Sequence, residues 1–115
     1  MLTIVSLPRY TAFGIVLRAK TQYKMAGEMA SRVTALVKAA CIAGAKTADL
    51  CKLGDDSIDE ETSKVFNKKD AAGKIPKKGV AFPTCICVNH CVCHNTPLAG
   101  IDEDIILKDG DLVKM

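Results

Sequence analysis

Between positions 85 and 94, Cys85, Cys87, His90, Cys91, Cys93 and His94 gather four thiols and two imidazoles. Thiolates and imidazoles are zinc ligands, and a thiol beside an imidazole can be a nucleophile. The segments VAFPTCICV and CVCH flank Asn89-His90, a two-residue loop in which Asn and His tolerate a left-handed backbone. That spacing predicts a β-hairpin with Val88 opposite Cys91, Cys87 opposite Val92, Ile86 opposite Cys93 and Cys85 opposite His94. Side chains alternate across a strand, so Cys85, Cys87, Val92 and His94 share one face, and Ile86, Val88, Cys91 and Cys93 the other. Thiols divided between two faces cannot converge on one tetrahedral ion, and the C-x-x-C spacing of a zinc knuckle is absent. The expectation is free cysteines packed as small hydrophobes, with no metal. Cys93 and His94 are adjacent and point apart. Cys85 with His94 is the one cross-strand pair that could form a thiol–imidazole dyad, without an assignable oxyanion donor or orienting acid.

Two other groups have the residue types for chemistry. Asp55, Asp56, Asp59, Glu60 and Glu61 form an acidic run with the types for acid–base work, but at helical spacing they mostly spread around the helix into water. Residues 68–79, KKDAAGKIPKKG, make a basic loop in which Lys68, Lys69, Lys74, Lys77 and Lys78 offer charge to RNA phosphates. No aromatic residue interleaves to stack on bases, so the loop would contact the backbone and read no sequence.

The elements that must position these residues read as follows. From Thr21 to about Ala43, Met25, Met29, Val33, Leu36 or Val37, and Ala40 recur at helical steps, with Thr21 as cap, Gly44 as a left-handed closing residue, and Lys24, Glu28, Arg32 and Lys38 on the solvated face. Met25 and Met29 belong to a core in this pattern, not to a cofactor box. A second helix is predicted from Ala48 to about Asn67, with Thr47 as cap, Leu50, Leu53, Ile58, Thr62 and Val65 buried, and Lys68-Lys69 at its carboxyl end. The apolar run Ile105–Leu107, a turn at Lys108-Asp109-Gly110-Asp111, and the opening of another strand at Leu112–Met115 follow. The fold class is α+β, two helices followed by antiparallel strands.

The chain has 115 residues, enough for one domain, and no tryptophan, so its core rests on aliphatic residues and cysteine. Residues 1–54 carry eight Lys/Arg against two acids and residues 55–115 eight against eleven, a basic half and an acidic half. Cysteines clustered in this way fit reduced thiols better than a secreted disulfide scaffold. Residues 1–20 contain no acid and three basic residues, Arg9, Arg18 and Lys20. Their apolar stretches LTIVSL and AFGIVL are split by Pro8-Arg9, a poor secretory core, and neither is long enough to span a bilayer.

The stretch GVAFPTCICVNHCVCHNTPLAG, Gly79 to Gly100, resembles the hairpin of type 2 methionine aminopeptidases, roughly GVAFPT-x-x-x-x-N-x-x-x-x-H-x-x-P. YKMAGEMASRV (Tyr23–Val33), LCKLGD (Leu50–Asp55), EETSKVFNK (Glu60–Lys68), VNHCVCH (Val88–His94) and LKDGDLVKM (Leu107–Met115) are similar to the non-catalytic, proliferation-associated, ErbB-receptor-binding branch of that superfamily. The resemblance covers residues 21–115 and leaves 1–20 as a non-matching leader. It implies the N-terminal part of a pita-bread fold, truncated before the metal-ligand region. It also implies that His94 matches the substrate-pocket histidine of active members, vestigial here. The five ligands of the dinuclear metal (two Asp, one His, two Glu) fall later in the family pattern, which implies no peptidase activity, no cofactor and no metal. RNA, ribosomes and protein partners, with no membrane partner, are what the branch implies, together with growth control, transcriptional repression, and residence in cytoplasm and nucleus with the nucleolus in view. The alternative is the front portion of a genuine type 2 methionine aminopeptidase. A piece ending inside a strand is expected to be marginally stable or to aggregate.

Overall fold

The computed structural model describes residues 12–69, 73–98, 101 and 104–115. Residues 1–11, Asp70–Ala72 of the basic loop, and positions 99–100 and 102–103 lie outside the described residues. Two helices dominate: α1, Ala12–Ala40, and α2, Thr47–Ser63. They are followed by two short strands, β1 (Cys87–Val88) and β2 (Val113–Lys114), which pair antiparallel with Cys87 opposite Lys114 and Val88 opposite Val113. The fold is α+β.

The aliphatic stripes form the core only in part: Met29, Val33, Val37 and Leu50 are buried, whereas Met25, Leu53, Ile58, Thr62 and Val65 are half-buried and α2 buries Cys51 and Gly54 in their place. Val33 and Val37 of α1 and Leu50 and Cys51 of α2 close on Ile86, Val88 and Leu107, with Ala40, Cys41, Ala45, Ile58 and Val113 packed around them. Ile86 has no exposed surface and stands at the centre. Val37 is the buried member of its pair, Leu36 being half exposed at 47%.

The helix ends depart from expectation. α1 begins at Ala12, so Thr21 is not a cap; its hydroxyl donates to the Leu17 carbonyl one turn back, at 3.1 Å, which a helical threonine does without ending the helix. α2 starts at Thr47 itself with Lys46 as cap residue, and no side chain caps it. Thr47 is fully buried and its hydroxyl finds no partner, while its N–H donates to the Ile105 carbonyl at 2.9 Å. The helix ends at Ser63, short of Lys68-Lys69. Asn67 Nδ2 donates to the Ser63 carbonyl at 2.8 Å and Phe66 turns left-handed at φ 52°, together closing the carboxyl end.

The link between the helices is held from far along the chain. Gly44, at φ +92°, donates its N–H to Leu107 O, and Leu107 N–H returns to Ala45 O, each at 2.8 Å. Lys46 and Ile106 form an antiparallel bridge, beside an ion pair of Lys46 with Asp104 at 3.0 Å. The run 105–107 therefore locks the helical corner.

The expected hairpin is corrected. Asn89-His90 does turn, with Asn89 at φ +51° and Cys91 N–H on Val88 O at 3.0 Å. The returning limb makes no strand. Ile86 N–H donates to Asn95 O at 3.0 Å and Asn95 Nδ2 to Ile86 O at 2.7 Å, so Ile86 lies opposite Asn95 and not Cys93. The left-handed backbone of His94, φ +61°, lets residues 91–94 bulge out and shifts the register. β1 takes its ladder from β2 instead.

Candidate functional site

The segment that carries the cysteines is seated on α2 by carboxylates. Asp55 Oδ1 accepts the Thr84 N–H at 2.8 Å, and Asp59 Oδ1 accepts the Val80 N–H at 3.3 Å. Asp55 is thus half-buried and structural where the acidic run is expected mostly to face water, while Asp59 stays exposed and still ties down the segment. Contact is close enough to dictate glycine: a Cβ on buried Gly54 would lie 2.9 Å from Thr84 Cγ2, and one on Gly79, at φ +123°, 2.7 Å from Asp59 Oδ1. Arg32 of α1 adds an ion pair to Glu61, the Nε hydrogen bond being 3.1 Å. That bond holds the Glu61 carboxyl below its ordinary value of 4.5.

The turn after β1 is pinned to β2. Asn89 N–H donates to Leu112 O at 2.9 Å and Leu112 N–H to Asn89 Oδ1 at 3.0 Å, while Asn89 Nδ2 reaches Asp111 Oδ1 at 2.8 Å. Asp111 Oδ2 accepts Lys108 N–H at 2.8 Å, closing the K-D-G-D turn. The Asn89 hydrogen bond is the chief reason the Asp111 carboxyl sits low, with the Lys108 N–H second. Sequence reading found both turns but missed that one amide side chain couples them.

His94 lies on a cavity of about 370 Å³ that Phe82, Pro83, Val92 and Met115 line with Cys85, Cys87, Cys93 and Lys114. Its ring meets Phe82 edge-on, centroids 5.5 Å apart and planes at 67°. The expected company of Cys85, Cys87, Val92 and His94 on one side is observed, but Cys93 joins them because the bulge swings it across. The Cys91 thiol likewise touches Cys87, and burial first and this contact second push it up. Cys85 Sγ sits 3.2 Å from Thr96 Oγ1 and 3.5 Å from Pro83 O, and among the described residues no hydrogen bond joins it to His94. The dyad is not assembled. Burial holds the Cys51 thiol up at about 11, far from the thiolate that nucleophilic chemistry needs. Among the described residues all six cysteines are free, and no three His, Cys, Asp or Glu side chains gather so as to hold a metal ion.

The basic loop is divided. Lys68, Lys69 and Lys77 are exposed, and Lys74 has a partner of its own. Lys78 folds back, its ammonium donating to the Val65 carbonyl and to Asn67 Oδ1 at the end of α2. None of the described helices is long and apolar enough to cross a membrane.

Sequence comparison finds relatives of the chain. Proliferation-associated protein A of Dictyostelium discoideum is 43% identical over 93 residues, 81% of this chain and 23% of that protein. ERBB-3 binding protein 1 of Solanum tuberosum is 42% identical over 95 residues, 83% of this chain and 23% of that protein. The chain belongs to this aminopeptidase-like family. Methionine aminopeptidase 2-2 of Pyrenophora teres f. teres is more distant, 33% identical over 93 residues, 81% of this chain and 19% of that protein. No family model matches the chain. The chain spans about a quarter of the length of the curated relatives it matches.

Proposed function

We propose that this chain is the N-terminal part of a pita-bread, non-catalytic aminopeptidase-like protein that works by binding. Its partners are RNA, in ribosomes and ribonucleoprotein particles, and other proteins; its places of action are the cytoplasm and nucleus, and its roles growth control and transcriptional regulation. The similarity to proliferation-associated protein A carries this reading. The relative named for binding ERBB-3 supports a protein partner.

For RNA, the loop supplies charge without aromatic stacking, so contact goes to phosphates and is sequence-tolerant. Exposed Lys68, Lys69 and Lys77 suit this role better than Lys78, whose ammonium already serves the helix end. His94 contributes the wall of a cavity, sitting against Phe82, and has no assigned step in hydrolysis. Ultraviolet crosslinking of the chain to mixed-sequence RNA, followed by peptide mapping, should place crosslinks within residues 68–78. A map with none there would overturn the assignment of the loop.

The 33% identity to a methionine aminopeptidase favours a second reading, the front of a peptidase. It is separated by assay of the longest reading frame containing this chain: cobalt- or manganese-dependent release of initiator methionine belongs to the peptidase, and its absence to the binding protein.

A further inference from the structure

Away from His94, a groove of about 330 Å³ opens between α1, the end of α2 and the lysine loop, walled by Met25, Met29, Ile58, Val65, Phe66 and Pro76. Its size falls at the small end of the roughly 300–1,000 Å³ typical of small-molecule sites, and its apolar walls with few polar groups have their character. One feature at the mouth points to the ligand. Lys78 reaches it with an ammonium held by two neutral oxygens, Val65 O and Asn67 Oδ1. An ammonium has three N–H donors, so one donor and the whole charge are left for an anion. Among the described residues no carboxylate pairs with Lys78. Phe66 lines the groove, 37% exposed. The thioethers of Met25 and Met29 adapt to a flexible chain better than branched residues do.

We propose that this groove binds a medium-chain fatty carboxylate, its alkyl chain along Met25, Met29 and Phe66 and its head group on Lys78. The complementarity is an apolar trough ending in a cation that no carboxylate among the described residues pairs with. A cationic amphiphile has the same chain and the wrong charge, and an acidic, apolar peptide is the competing occupant.

Calorimetric titration of the full chain with decanoate tests this, with decyltrimethylammonium as control. Saturable binding of decanoate is expected, with the cationic amphiphile weaker. Lys78→Met should weaken decanoate roughly tenfold or more, the loss of one charge-assisted hydrogen bond. Ala26→Phe, which fills the groove from an exposed helix position, should abolish binding with unchanged helical circular dichroism. Equal affinity for the two amphiphiles, undiminished binding by Ala26→Phe, or binding of acidic peptide but not decanoate would each overturn it.

Discussion

The two limbs beside the Asn89 turn are built from similar residues and held very differently. The ingoing limb, residues 79–88, is fastened to α2 by Asp55 and Asp59, pressed onto Gly54, centred on fully buried Ile86 and laddered to β2. The outgoing limb, 91–98, makes no ladder; Asn95 and Thr96 tie it back while Val92 stands 81% exposed. Apolar, cysteine-rich sequence alone therefore does not make a buried strand. Which limb is structural is decided by contacts from helices and from a strand far along the chain.

The largest test of that contrast is a pair of truncations. Ile86→Ala should cost about 2–5 kcal/mol, while Val92→Ala should stay within about 0.5 kcal/mol, both by denaturant unfolding. Next, Gly54→Ala forces a methyl into Thr84 and should destabilise by about 1–3 kcal/mol despite the gain in helix propensity. Adding Thr84→Ala should return most of the loss; no recovery would move the contact elsewhere. Smaller again, Asp55→Ala leaves the Thr84 N–H without its acceptor and should cost about 1–2 kcal/mol.

The smallest effect is a pH dependence. The Glu61 carboxyl is lower in the folded chain than in the unfolded one, chiefly through the Arg32 hydrogen bond. Its contribution is present above the unfolded value and is lost as pH falls through the folded one. Arg32→Gln should be slightly less stable than the parent at neutral pH, with the difference vanishing below the ordinary carboxylate range in thermal melts. A difference that persists in acid would assign Arg32 a role other than this pair.

What could be read from residues alone was whatever local periodicity controls. Met29, Val33, Val37 and Leu50 are buried where helical spacing puts them, and Asn89 takes the left-handed turn its amide tolerates. Helix ends were not legible, because a threonine hydroxyl can bond back within a helix, as Thr21 does, or be buried without a partner, as Thr47 is. Strand pairing failed for a different reason. Local pattern favours the nearest complementary limb, whereas β2 wins through the Asn89–Leu112 and Asn89–Asp111 bonds, which no local pattern encodes. The hydrogen bonds of Asp55 and Asp59 are hidden from local sequence for the same reason, since Thr84 and Val80 lie far along the chain. His94 was placed by family resemblance, and the structure adds its cavity and its Phe82 contact.

The central functional claim is that exposed lysines of the 68–78 loop hold RNA by its phosphates. It is tested most directly by the salt dependence of RNA affinity, parent against a variant with Lys68, Lys69 and Lys77 changed to Ala. Each single-strand phosphate contact contributes about 0.7 to the slope of log affinity against log salt, so the variant's slope should fall by roughly 2. An identical slope and affinity in the two chains would contradict the claim.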